Sequence, residues 1–234
     1  MFQNKFILHF KSLNFSYNKN VPVLENLSFE VNKGECIGII GNTGCGKTTL
    51  LDIILGLLQP SYGSMHLNNF DISQNISLWR SNISYVPQSI YLVDDSIKKN
   101  IAFGINIDDI DNDKINNALE LSQLKDFVLN LKDGVNTSVG ERGIKLSGGQ
   151  KQRIGIARAL YNNPEILFFD ESTSSLDNNT EEKVMQSIFN LKFKKTIFIV
   201  AHRYSTIMNC DRIIEIESGK IKRQGKPNDI LLTS

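Results

Sequence analysis

The chain has 234 residues, 41% of them hydrophobic, with 26 lysines and arginines against 25 aspartates and glutamates for a formal net charge of +1. That length suits one sizeable α/β unit with its own core, and the near-neutral balance excludes the global basic field expected of a nucleic-acid-binding protein. No apolar stretch approaches the roughly 20 residues needed to span a bilayer, and the polar start MFQNKFILHF does not read as a signal peptide, so the chain by itself is expected to be soluble.

Cys36, Cys45 and Cys210 lack C-x-x-C pairing, which predicts reduced thiols in a reducing compartment and no metal site; Cys45 is a candidate reactive thiol. There is no internal repeat and no linker rich in proline, glycine or serine. The acidic, amide-rich INIDDIDNDKINN at 105–117 reads as a surface segment.

In chain order, FILHFKSLNFSY and VLENLSFEVNKGE alternate apolar and polar residues and predict an antiparallel N-terminal portion. ECIGII follows as a short buried strand, and TTLLDIILGLL as a helix apolar nearly all round. Between them lies GNTGCGKTT, residues Gly41, Asn42, Thr43, Gly44, Cys45, Gly46, Lys47, Thr48 and Thr49, which fits the phosphate-loop pattern. A loop between strand and helix presents unpaired N–H groups and a partial positive charge, and its glycines let phosphate oxygens approach the backbone. Lys47 would reach the β- and γ-phosphates, and Thr48 would place its hydroxyl on Mg²⁺.

From Gln88 to Pro164 the pattern turns mostly helical. NDKINNALELSQLKDFVLNL carries Ile115, Leu119, Leu124 and Phe127 at near-helical spacings, as two short helices. Ser147 followed by Gln150 forms a capping box, so LSGGQKQRIGIARAL predicts a helix opening at Ser147 and stopping before Asn162. Gly148 and Gly149 in its first turn cost stability relative to alanine and imply close approach of something to the backbone, for which a γ-phosphate is the natural candidate. ILFFDE at 166–171 reads as a buried parallel strand ending in Asp170 and Glu171, at the sheet edge where α/β proteins bind ligands. Asp170 is assigned to Mg²⁺ and Glu171 to orienting or deprotonating the attacking water. The plain readings are a Gly-rich turn, the first polar residues beyond a strand, and a well-capped structural helix; the order of the three motifs on one chain favours chemistry.

These segments resemble the ATP-binding cassette (ABC) ATPases over essentially the whole chain. The resemblance implies an α/β fold of the P-loop NTPase (RecA-like) kind: a parallel-sheet core, an N-terminal antiparallel β portion and a helical insertion. The whole chain, 1–234, is one domain, with the core at 1–88 and 165–234 and the signature-bearing insertion at about 89–164. It also implies ATP and Mg²⁺ as cofactors and a head-to-tail dimer in which Ser147, Gly148, Gly149 and Gln150 act on the nucleotide of the other subunit.

Further roles are implied by the resemblance alone. Gln88, in YVPQ, would contact Mg²⁺ and water and sense a transmembrane partner. Ser175 and Asp177, in SLD, would contact the other subunit. His202, in VAHR, would bond the γ-phosphate and hold Glu171, and Tyr17, in LNFSYN, would stack on adenine. Taken singly, Tyr17 reads equally as a strand-face aromatic, Gln88 as a turn residue and His202 as a satisfied histidine beyond a strand.

VGERGIKLSGG and YLVDDSIKKNIAFG resemble exporter-type cassettes, and IGIARALYNNPEILFFDESTSSLDNNTEEKV with STIMNCDRIIEIESGKI resembles flippases for lipid-linked oligosaccharides and lipid or polysaccharide exporters. The expected partners are a second ATPase subunit, by preference a second copy of this chain, and a transmembrane permease, with no nucleic acid. The expected place is the cytoplasmic face of the membrane. Exporters of this type usually carry their membrane domain ahead of the cassette, whereas Met1 here precedes the first strand by a few residues; this leaves a separate permease or a fragment of a fused exporter as the two readings. Phe169, Ser172 and Tyr204 depart from the family's usual leucine, alanine and leucine without removing a reacting group. A soluble non-transport cassette ATPase is the alternative function.

Overall fold

In the computed structural model, residues 6–18, 21–171, 175–191, 194–201 and 204–231 are described. Contacts gather the chain into two units, the first Met1–Ile83, Glu165–Phe168 and Lys192–Ser234, the second Ser84–Pro164 and Phe169–Leu191.

The first unit begins with β1 (Ile7–Asn18) and β2 (Val21–Asn32), whose alternating buried positions turn one face to the core while the other meets solvent. They pair antiparallel, and β1 pairs antiparallel with β4 (Tyr62–Leu67), which pairs with the short β5 (Phe70–Asp71), giving the sheet order β2-β1-β4-β5. Phe10 and Phe29 stack across the β1–β2 pair, ring centroids 4.2 Å apart. This is the antiparallel portion that the alternation predicts.

Between those strands run β3 (Cys36–Ile40) and α1 (Lys47–Ile54). β3 is buried along almost all of its length, as a strand covered on both faces must be, and pairs parallel with β8 (Thr196–Val200) and β9 (Arg212–Glu217). α1 is shorter than the apolar run TTLLDIILGLL, because Gly56 takes a left-handed φ of +74° and turns the chain out of the helix. α2 (Ile76–Ser81) follows, and its fully buried Trp79 donates Nε1–H to the Ile54 carbonyl at 2.7 Å, satisfying one of the last carbonyls of α1.

The larger sheet has the order β10-β9-β3-β8-β7-β6, where β6 is Ile83–Val86, β7 is Ile166–Asp170 and β10 is Lys220–Gly225. β10 pairs antiparallel with β9 at the edge, so the basic KIKRQGK is a hairpin strand. Its charges are met locally, Lys222 by Glu217 at 2.6 Å and Arg223 by Glu215. The short helices α8 (Tyr204–Ile207) and α9 (Pro227–Leu231) supply Ile207 and Ile230 to a small cluster with Ile213.

The second unit is mostly helical: α3 (Ile97–Ile101), α4 (Asn112–Leu121), α5 (Lys125–Leu129), α6 (Gly148–Tyr161) and α7 (Asn178–Phe189). NDKINNALELSQLKDFVLNL forms two helices, α4 and α5, as its spacing predicts. Ile97, Ile101, Ile115, Leu119, Ile154 and Tyr161 meet in one core cluster. Asn100 is fully buried and spends its amide on Val93 N–H and the Val93 and Ser96 carbonyls. Arg158 donates to the Asn100 carbonyl at 2.8 Å and lies over the Phe103 ring; burial lowers its pKa from the usual guanidinium value. Among the described residues no helix is long and apolar enough to cross a membrane.

Candidate nucleotide site

In the first unit the chain leaves β3 into the loop Gly41–Gly46 and enters α1 at Lys47. Two glycines there have no substitute. Gly41 sits at φ +149°, and a Cβ on it would lie 2.2 Å from the Ile216 carbonyl oxygen and 2.6 Å from Cys45 Sγ. Gly46 is the N-cap of α1 at φ 108°, and a Cβ would lie 2.7 Å from Leu24 Cδ2. Lys47 is buried and its ammonium donates to the carbonyls of Gly41 at 2.7 Å and Asn42 at 3.0 Å.

α1 opens without a side-chain cap and with no acidic residue in its first turn. By contrast α4, α6 and α7 are capped by Asp111, Ser147 and Asp177. The first N–H groups of α1, together with the positive end of its dipole, are therefore left for an anion, and the exposed Thr48 stands in that turn. Tyr17 is 61% exposed, meets Phe15 edge-on, and shares a 3.3 Å hydrogen bond between its hydroxyl and Thr49 Oγ1, so an aromatic ring stands over the start of α1. Cys45 is buried, as are Cys36 and Cys210, and all three are free thiols.

Sequence reasoning missed the turn beneath the loop. Gly219, between β9 and β10, donates its N–H to the Cys45 carbonyl at 3.0 Å and accepts from Glu25 N–H at 2.9 Å. A contact across 174 positions of sequence leaves no local signal; only the glycine of a hairpin turn marks it.

In the second unit β7 ends at Asp170, and Glu171 follows directly after it. Tyr85 donates its hydroxyl to Asp170 Oδ2 at 3.0 Å, and Gln88 donates Nε2–H to Glu171 Oε2 at 2.9 Å. Glu171 takes a left-handed φ of +45°, which for a residue with a Cβ costs about 1–2 kcal/mol and is held only by its surroundings. The YVPQ segment thus supplies a partner to each carboxylate. Gln88 was singled out by sequence; Tyr85 was not, because a strand tyrosine carries no motif of its own.

α6 opens at Ser147 with both halves of the capping box formed: Ser147 N–H donates to Gln150 Oε1 at 2.8 Å, and Gln150 N–H to Ser147 Oγ at 3.2 Å. The Gln150 oxygen is thereby used within its own helix. Within this unit, Ser175 and Leu176 lie beside Gly148 and Gly149. A Cβ on Gly148 would lie 3.5 Å from Ser175 Cβ, and one on Gly149 3.3 Å from Leu176 Cδ2. Asp177 caps α7 by accepting Thr180 N–H at 3.0 Å, and its pKa is lowered, chiefly by that backbone bond. His202 and Ser172 lie outside the described residues.

Among the described residues no three His, Cys, Asp or Glu side chains gather into a metal-holding group. A magnesium ion needs no such cage: it keeps waters and takes one or two protein oxygens beside the phosphates it accompanies, a role that the Thr48 hydroxyl and the Asp170 carboxylate fit chemically.

A helix terminus whose donors are unspent attracts phosphate, and a carboxylate held by a glutamine side chain is suited to a water molecule. The glycine-lined loop opening into a helix without a side-chain cap sets the chain among the phosphate-loop ATPases. The family model described as ABC transporter matches residues 24–174, and the chain belongs to that family.

Over 226 residues the chain is 39% identical to an export ATP-binding/permease protein of Rickettsia typhi, covering 95% of this chain and 39% of the relative. Over 224 residues it is 41% identical to the leukotoxin translocation ATP-binding protein LktB of a Pasteurella haemolytica-like species, covering 95% of this chain and 31% of that protein. The solved structure of a bacterial Atm1-family ABC exporter with ATP bound superposes with a TM-score of 0.92 at 34% identity, across 100% of this chain and 41% of that one. The chain is thus an ATP-hydrolysing, exporter-type nucleotide-binding domain, and it spans about two fifths or less of the length of these relatives.

Proposed function

We propose that this chain hydrolyses ATP at a site shared between two cassettes and so drives export or flipping of a cargo across the cytoplasmic membrane. The phosphate loop binds the nucleotide, with Lys47 on the β- and γ-phosphates, Thr48 on Mg²⁺ and Tyr17 on adenine. Asp170, with Gln88, completes the metal shell. Glu171 orients and deprotonates the attacking water, with His202 on the γ-phosphate. Ser147, Gly148, Gly149, Gln150 and Asp177 act on the nucleotide of a second subunit, by preference a second copy of this chain.

The observation that carries this reading is the Gln88–Glu171 hydrogen bond, at the end of a buried strand and on a left-handed residue. It fixes the carboxylate of the base at the end of the strand, and a general base must be held in place to act on a water. The spanning segments belong to a permease, on a separate chain or joined to the cassette as in the relatives named ATP-binding/permease. The resemblance of 154–184 and 205–221 to flippase and polysaccharide-exporter cassettes supports a cargo of the lipid, lipid-linked oligosaccharide or polysaccharide class. Translocation of a toxin is the second reading, favoured by the name of the relatives at 40–41% identity.

Glu171→Gln tests the assignment. With ATP and Mg²⁺ the variant is expected to run as a dimer on size exclusion with light scattering, while phosphate release falls by about 10²-fold or more, the usual contribution of a general base. Wild-type turnover in the variant would remove Glu171 from that role.

A further inference from the structure

One face of α6 carries Gly148, Gly149, Gln152 and Gly155, positions three and four apart that line up along a helix. Two segments of the second unit lie against it. Residues 175–176 rest on Gly148 and Gly149, as described above. Ile90, two residues after Gln88, rests on Gly155, where a Cβ would lie 2.3 Å from Ile90 Cδ1 and 2.7 Å from Ile90 Cγ1. Between them stands Gln152, 2% exposed, the one long side chain of the four.

Its amide is spent on backbone at both ends. Gln152 Nε2 donates to the Gln88 carbonyl at 3.5 Å, and Gln152 Oε1 accepts Ser175 N–H at 3.1 Å. The orientation of the amide follows from its partners: Ser175 N–H only donates and Gln88 C=O only accepts, so the reverse orientation would set N–H against N–H and oxygen against oxygen.

We propose that Gln152 is a positioning residue for ATP hydrolysis, a clamp that holds the Gln88 segment and the Ser175–Asp177 segment to the signature helix so that the three move as one. The inference rests on the reading of Gln88, Glu171 and Asp177 given under Proposed function. Gln88 reaches Glu171 through its side chain and Gln152 through its carbonyl, so a shift of α6 is felt at the carboxylate. Ser175 reaches Gln152 through its N–H and packs on Gly148, so the same shift is felt by the segment assigned to the other subunit. Gly155 allows the close packing of Ile90 on the helix, and Gly149 that of Leu176.

The test is Gln152→Met, which keeps length and bulk but loses both hydrogen bonds, with Gln152→Ala as the second variant if the first fails to fold. Steady-state kinetics on the full chain are expected to show kcat lowered about ten-fold or more with KM for ATP within about two-fold, since the nucleotide-binding loop is untouched. Combined with Gln88→Ala, the loss is expected to be smaller than the product of the single losses, because both act through the same segment. Combined with Tyr17→Ala, an adenine-side change, the losses are expected to multiply.

A kcat within two-fold of wild type in a folded Gln152 variant overturns the proposal, as does a full product of losses with Gln88→Ala. Glu171→Gln run alongside separates the two readings: wild-type turnover in that variant defeats the base assignment, whereas slow Glu171→Gln beside an unimpaired Gln152→Met defeats only the clamp.

Discussion

Lys47 ties its own loop together and, in the function proposed above, meets the nucleotide with the same ammonium. Its ammonium, inside a loop of carbonyls, bonds Gly41 and Asn42 and uses two of its three donors. A phosphate oxygen competes for the same group with full charge, so binding exchanges neutral partners for anionic ones. Lys47→Ala removes that gain and is expected to weaken ATP binding ten-fold or more by calorimetry, the scale of one charge-assisted bond. Unchanged affinity would count against the phosphate-loop assignment. Tyr17 and Gly219 show the opposite kind of role: each touches the loop or its helix through one hydrogen bond, Tyr17 to Thr49 and Gly219 to Cys45.

Helix ends and helix faces decide what the elements do. α7 opens on Asp177, exposed and held below the ordinary carboxylate range by the Thr180 N–H. A carboxyl whose folded pKa is depressed stabilises the fold at every pH above its unfolded pKa, and that contribution is lost as pH falls through the folded value. Asp177→Asn keeps a neutral cap and removes the charge. Its melting temperature is expected to sit below wild type at neutral pH, with the gap closing only in strong acid; a gap unchanged down to pH 2 would show that the ionised cap is not its source. On α6, Gly155 lies under Ile90. Gly155→Ala raises helix propensity, but it sets a methyl against two carbons of a branched side chain. A net loss of about 1–3 kcal/mol is expected in denaturant unfolding, the usual cost of overpacking. A stabilised variant would show that Ile90 swings aside freely.

At the scale of the whole molecule, no helix among the described residues is long and apolar enough to cross a membrane, while the relatives carry names of export and translocation and the chain covers 39% and 31% of their length. The transport proposed above therefore requires membrane-spanning segments beyond the described residues. Purification from native membranes in mild detergent is expected to recover a polytopic membrane protein in equal amount with the cassette, by mass spectrometry. Recovery only from the soluble fraction would favour a non-transport ATPase.

Much of this was legible in the chain of letters. The phosphate loop, the carboxylate pair and the capping box are local patterns, set by which residues tolerate a left-handed turn, close a buried strand or satisfy the first N–H groups of a helix. Gly41, Lys47, Asp170, Glu171 and Ser147 are singled out as candidates by neighbours within a few positions, and α4, α5 and the limits of α6 are read the same way and form as expected. What sequence by itself determined is therefore the class of chemistry and the elements that carry it. Only the tertiary structure decided who holds whom: Gln88 on Glu171, Tyr85 on Asp170, Gly219 beneath Cys45, and Gln152 between two distant backbones. Those bonds join residues 23 to 174 positions apart, and a hydrogen bond depends on distance in space rather than along the chain. The close approach at Gly148 and Gly149 makes the same point, since a glycine pair announces a neighbour without saying which, and here the fold places Ser175 and Leu176 against it.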